Sequence, residues 1–373
     1  MRVRLGDYIK EYSVKNKNNE DIPVYSVSNS LGFCKDYFGK EVASKNKTTY
    51  KIVPRGCFAY NPSRINVGSV DWQNEEERVI VSPLYNVFSV SPLLDQQYLL
   101  YYLKSNVTLS RIRAVASGSV RDNLKLSMLY EFPIDLISLD KQYDVVSTLN
   151  AVQKIIDLYQ KGLSCLDELV RARFVEMFGD PRINPMNFHK SRLKDTCDII
   201  TGNTPSRKNQ EYYGNYIEWI KTDNIVTNKL NPTYAKENLS KEGMDVGRIV
   251  DKNCILMACI AGSISSIGKV CVTDRKVAFN QQINAIVPKK YNCMFLYVLL
   301  QVSKEYLVDG INMALKGILS KSRLEEKQFI VPPLELQKQF ASFVQEIDKS
   351  RLRELLAIKQ IKLLLHDSWF LFY

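Results

Sequence analysis

Residues 145–181 read VVSTLNAVQKIIDLYQKGLSCLDELVRARFVEMFGDP. Val145, Leu149, Val152, Ile156, Tyr159, Leu163, Leu166 and Val170 recur by fours and threes; Arg173 interrupts the stripe and Met177 resumes it. A 3.5-residue period predicts one long helix packed along its length on a partner helix. Gly179-Asp180-Pro181 ends it, because Gly accepts the left-handed conformation and Pro cannot continue a helix. At 1.5 Å per residue, 145–178 spans roughly 50 Å. The stripe means core packing, so what it contributes to function is geometry.

A partner helix lies in the same chain. Val344, Ile347, Ile358, Ile361, Leu365 and Trp369 continue the pattern, with Arg351 and Glu354 standing where the first copy has Ile156 and Tyr159. Two like helices in one chain are expected to pair antiparallel. The rest of the chain is duplicated as well, with a period near 197 residues. Arg4-Leu5-Gly6-Asp7 is echoed by Arg192-Leu193-Lys194-Asp195, and Ile52-Val53 with Cys57 by Ile249-Val250 with Cys254. Residues 65–70 answer to 265–270, and Lys141-Gln142-Tyr143 to Lys338-Gln339-Phe340. Each match is weak, but their order is constant, which makes a tandem repeat the economical reading.

Each copy opens with short β-branched and aromatic runs broken by Gly, Pro, Asn and Ser, among them residues 23–27, 79–81, 254–257 and 283–287. Such runs predict irregular sheets with long loops. A short helical piece follows in each copy, at 95–104 and 293–304, before the long helix. The expected architecture is α+β: domain one over 1–139, a spacer helix over 140–180, domain two over 181–334, and a second spacer helix over 335–373.

The net charge of +11 is uneven. Residues 1–139 carry +4, 140–180 carry −2, 181–334 carry +8 and 335–373 carry +1. Two basic bodies alternate with two nearly neutral segments, which fits two surfaces for phosphate joined by spacers. The eight cysteines form no CxxC and there are two histidines, so a metal site is not expected. Scattered cysteines point to reduced thiols in a cytoplasm, and no run of 18 apolar residues predicts a membrane span.

The loop TGNTPSRK, residues 201–208, combines turn formers with small polar groups and two cations. Gly202 and Pro205 fix a turn, Gly by its tolerance of positive φ and Pro by its locked φ. That suits an anion or a base edge rather than bond breaking.

With Gly202-Asn203-Thr204-Pro205-Ser206, the run 219–225 (WIKTDNI), Asn280-Gln281-Gln282 and the run 332–339 (PPLELQKQ) entering the last helix, the chain resembles the specificity subunit of a type I restriction-modification system over essentially its whole length. The first copy departs from this set, having Pro133-Ile134-Asp135-Leu136 at the helix entry and no TPS loop. The resemblance implies two target-recognition domains, each reading half of a split DNA sequence, with long antiparallel coiled-coil helices setting the unread gap. It implies no catalysis and no cofactor in this chain. S-adenosylmethionine, ATP and Mg²⁺ would belong to two methyltransferase subunits and to restriction-translocase subunits bound to double-stranded DNA.

On that reading Asn203, Thr204, Ser206, Arg207, Lys208, Lys221, Thr222, Asn224, Asn280, Gln281, Gln282 and Lys316 are the DNA-contact candidates of the second domain. Asn61, Arg64, Asn66, Ser82, Tyr85 and Arg121 are those of the first. Leu169, Phe174, Phe178, Leu364 and Phe370 are apolar beyond the seam and mark a surface for partner protein. Two alternatives stand beside this reading. A DNA-modifying enzyme lacks its motifs, since Tyr60-Asn61-Pro62-Ser63 misses the second Pro and the aromatic of an adenine-methyltransferase clamp, and no Gly-rich cofactor loop occurs. A purely structural coiled-coil adaptor leaves the two basic bodies unexplained.

Overall fold

A computed structural model describes residues 1–35, 46–116, 123–227, 229–313 and 317–371, with the backbone alone from 365 onward. The chain divides into two compact units, Met1–Tyr159 with Leu356–Tyr373, and Gln160–Leu355, and the boundary falls inside both long helices.

Within the first unit a four-stranded antiparallel sheet runs in the spatial order Ile9–Glu11, Asn86–Val90, Phe58–Tyr60, Val70–Trp72. The second unit repeats that order with Cys197–Thr201, Ile283–Pro288, Ile255–Ala258 and Val270–Val272. The first strand of each repeat, Arg2–Arg4 or Lys190–Arg192, pairs antiparallel with one just before the long helix, Pro133–Asp135 or Gln328–Ile330. Gly68 and Gly268 both take positive φ, +91° and +74°, at the turn that launches the last strand of the sheet. One plan is built twice.

The halves differ beside that sheet. In the first unit Lys51–Pro54 pairs with Arg78–Val81 in a two-stranded sheet, extended by isolated bridges from Lys15 to Lys51, antiparallel, and from Val24 to Ile80, parallel. In the second the equivalent pair, Ile249–Val250 and Val277–Phe279, grows into five strands, with Ile217–Ile220 added in parallel and Asn238–Leu239 and Tyr213–Gly214 beyond it. Those additions carry the TGNTPSRK loop.

Short helices Gln96–Lys104 and Cys293–Val302 back the two sheets and are capped alike. The Asp95 carboxylate accepts the Tyr98 N–H, and the Asn292 side chain accepts those of Met294 and Phe295. Each cap satisfies donors that a helix start leaves without partners.

Along the first long helix, Leu139–Phe178, the stripe residues Ile156 and Val170 are buried and the other apolar stripe residues half-buried. Gly179 closes it at φ +69°, where an added Cβ would lie 2.3 Å from the Pro185 ring. In the second unit this helix packs antiparallel on the last helix, Leu334–Leu371. Phe174 and Phe178 meet Phe340, with ring centroids 5.5 and 5.6 Å apart, Asp167 meets Arg351, and Gly162 faces Glu354. The polar pair at 351 and 354 does occupy the seam. Arg351 bridges Asp167 and Asp348, while a carboxylate oxygen of Asp348 and one of Glu354 are buried with no hydrogen-bond partner.

Three expectations need correction. Phe174 and Phe178 are fully buried in an aromatic cluster with Phe295 and Phe340, so they offer no surface. Leu169 and Leu364 are exposed, and the Phe370 side chain lies outside the described residues. The repeat register also slips. The structural counterpart of Gln142 is Gln337 rather than Gln339, because the offset drops from 197 at the capped short helices to 195 at the long ones.

Candidate nucleic-acid interface

Gly202 leads into the loop at a place where any Cβ would lie 2.1 Å from the Asn280 carbonyl oxygen and 2.6 Å from that of Phe279. Its φ is not positive, so glycine is required for close approach and not, as expected, for a left-handed turn. The strand end is then pinned, with Gly202 N–H donating to Ile283 O and Asn203 N–H to Phe279 O.

Asn203 is a brace. Its amide donates to Val246 O at 2.9 Å and accepts from Arg248 N–H at 2.8 Å, and its carbonyl accepts the Trp219 indole N–H at 3.3 Å. Thr204 donates its hydroxyl proton to Gln281 Oε1, and Tyr213 O–H donates to Pro205 O at 2.7 Å. Ser206 and Lys208 point to solvent.

Arg207 stands over two rings, its guanidinium carbon 4.4 Å from the Tyr213 centroid and 5.2 Å from that of Trp219. Its fork is bidentate on Glu237, which also takes Lys221 Nζ at 2.5 Å. Hydrogen bonding from Arg207, and after it from Lys221, holds the Glu237 carboxyl down at about 2. The result is a fixed cationic shelf of Arg207, Lys221, Tyr213 and Trp219, with one internal counter-charge. Arg207 therefore cannot fork onto guanine as expected without first leaving Glu237.

Three more amides turn out to be scaffold. Asn224, 7% exposed, accepts the Lys221 N–H at 2.9 Å and donates to Thr233 Oγ1 and Tyr234 O. Asn280, 6% exposed, exchanges hydrogen bonds with Gln282. Gln281 is exposed but accepts from Thr204. Thr222 and Gln282 instead line a surface groove of about 490 Å³ with Asp223, Thr227, Ser266 and Lys269. Lys316 lies outside the described residues.

In the first unit Asn61, Arg64 and Asn66 share one turn, where the Asn61 side chain accepts from Ser63 N–H at 3.1 Å and from its hydroxyl at 2.9 Å. Arg64 is exposed, and the Asn66 carbonyl accepts Arg113 Nε at 3.2 Å. Ser82 and Tyr85 belong to a different turn. Tyr85 is buried and its hydroxyl accepts the Val27 N–H at 3.3 Å, which makes it a core residue rather than a contact. Arg121 lies outside the described residues.

Sequence reasoning missed Glu237, Lys269 and Ser266. Nothing local marks them: Glu237 lies 16 residues beyond Lys221, and the strand pairing alone brings the two together. Among the described residues no group of three or more His, Cys, Asp or Glu could hold a metal, and no helix is long and apolar enough to cross a membrane.

Comparison with known proteins follows the same duplication. A family model described as the type I restriction modification DNA specificity domain matches residues 4–165 and again 185–363. The chain is 30% identical over 186 residues to the type I restriction enzyme HindI specificity subunit of Haemophilus influenzae, covering 46% of this chain and 39% of that protein. It is 25% identical over 216 residues to the type I restriction enzyme MjaIX specificity subunit of Methanocaldococcus jannaschii, covering 54% and 49%. The aligned stretches thus span less than half the length of these curated relatives. A solved chain from work headed "Structural basis underlying complex assembly and conformational transition of the type I R-M system" shares the fold, with a TM-score of 0.61 at 16% identity over 98% of this chain and 95% of that one.

Proposed function

Because the chain belongs to the type I restriction modification DNA specificity family, we propose that it reads a two-part DNA sequence, one part in each duplicated half. The observation that carries this is the repeated strand order of the two four-stranded sheets, joined to loops that do not repeat. One scaffold presenting two different surfaces is what an asymmetric bipartite target requires. The basic charge of both halves supplies the sequence-independent part of the affinity through phosphates.

The chain itself is non-catalytic in this reading. Methyl transfer, with S-adenosylmethionine, and ATP- and Mg²⁺-dependent translocation and cleavage fall to two methyltransferase subunits and to restriction subunits, in the cytoplasm. The paired long helices supply the unread gap and, with exposed Leu169 and Leu364, surface for the methyltransferases. Long-read detection of methyladenine in cells carrying this chain with its methyltransferase partner tests the proposal. One asymmetric motif in two parts with a fixed gap is expected, and a continuous palindrome would refute it.

A further inference from the structure

A groove of the second unit gathers several polar side chains. Thr222, Asp223, Ser266, Lys269 and Gln282 line it together with the apolar Ile225 and Ile260. Among the described residues no side-chain hydrogen bond or ion pair engages Asp223, Lys269 or the Thr222 hydroxyl. Gln282 is half engaged, and its orientation follows from its partner. Its backbone N–H, an obligate donor, gives its proton to Asn280 Oδ1 at 3.2 Å. The Asn280 amide nitrogen must then be the donor toward the Gln282 side chain, which it meets at Oε1, 3.2 Å away. That leaves the Gln282 NH₂ free and fixes which end of the amide is offered. The segment that carries Ser266 is tied down by Lys304 Nζ, which donates to Ser265 O at 2.6 Å.

We propose that this groove takes the edge of one G·C base pair, with Gln282 and Lys269 donating to guanine and Asp223 accepting from the cytosine amine. The proposal rests on the DNA-reading role argued above. A phosphate is the wrong occupant, because Asp223 would repel it. Donors and one acceptor lining a single groove match the major-groove pattern of G·C, two acceptors beside an amine donor. Asn280, expected to touch bases, serves here as the positioning residue that orients Gln282.

The test is selection of bound duplexes from a randomised DNA pool by the full chain, in complex with its methyltransferase subunits, followed by sequencing. The wild-type chain should enrich a two-part motif. Asp223→Asn and Lys269→Met should each lower the preference for G·C at the same single position of one half, by roughly 5- to 100-fold. The other half should be unchanged. A wild-type motif that neither variant alters at any position overturns this inference alone, whereas a wild-type chain that enriches no motif overturns the DNA-reading role and the inference with it. If either variant folds poorly, Gln282→Leu removes the remaining assigned donor, and an unaltered motif there overturns the proposal equally.

Discussion

Gln337 at the start of the last helix accepts the backbone N–H of Asn292 at 2.9 Å, as Gln142 accepts that of Asp95 at 2.8 Å. Both side chains are essentially buried, and each also donates to the chain entering its helix, Gln337 to Pro332 O and Gln142 to Ile137 O. One amide thus ties the long helix, its entry strand and the capped short helix together, in both halves.

Replacing Gln337 by Leu leaves a buried N–H and a carbonyl without partners, so a loss of about 1–3 kcal/mol is expected. Gln142→Leu should cost a similar amount. Denaturant unfolding measures both, as a lower midpoint with an unchanged slope. A neutral effect at both sites would show that the shared bond is incidental.

The Arg351 cluster gives a second prediction. With side-chain exposures of 17% for Arg351, 31% for Asp167 and 19% for Asp348, breaking it should cost about 1–3 kcal/mol, less than the 3–5 typical of full burial. Arg351→Leu alone strands two carboxylates in the seam. Replacing all three residues by Leu removes the stranded charge and should recover most of the loss, as read by thermal unfolding. A triple variant as weak as the single one would contradict this account of the seam.

Acid should loosen the shelf around Glu237. Its folded pKa, about 2, lies below the ordinary 4.5, so its contribution to stability is fully present above 4.5 and is lost as pH falls toward 2. Following urea midpoints across that window should show a decline that Glu237→Gln flattens. Identical acid limbs in the two proteins would remove the Arg207–Glu237–Lys221 triad from the balance.

Gly202→Ala tests the close approach of the loop. A methyl 2.1 Å from the Asn280 carbonyl must displace backbone on one side or the other, and overpacking of this kind typically costs about 1–3 kcal/mol. The displaced segment includes Asn280 and Gln282, so selected DNA should lose definition in one half of the motif and keep it in the other. A melting temperature and motif equal to wild type would show that the loop yields freely.

The long helices were legible because nine apolar residues obey one period over 33 residues, with a single break at Arg173. The duplicated sheets were legible only as scattered echoes, since strands of two to six residues are too short for alternation to show. The contact candidates divided for a different reason. An Asn in a loop is equally suited to a base edge and to bracing its own turn, and Asn203, Asn224 and Asn280 all brace. For Asn203 and Asn224 the use that prevails depends on the carbonyls of Val246 and Tyr234, brought in from other segments that no local pattern encodes, whereas Asn280 pairs with Gln282 two residues on. Tyr85 was lost in the same way, because its hydroxyl meets a backbone N–H 58 residues away.

Arg207 decides what kind of contact the shelf makes. Its two terminal nitrogens face Glu237 and its plane lies over Tyr213 and Trp219, so its charge is available to a strand passing alongside while its bidentate face is not. A phosphate needs only the charge, whereas guanine needs the fork. Arg207→Ala should therefore weaken binding to all sequences alike and reduce the salt slope by about one unit, leaving the motif intact. Titration of the full complex against specific and scrambled duplexes at several salt concentrations separates the two contacts. Relaxed preference at a single position with an unchanged slope would mean that DNA pulls the guanidinium off Glu237, and that the carboxylate is a placeholder for a base rather than a permanent partner.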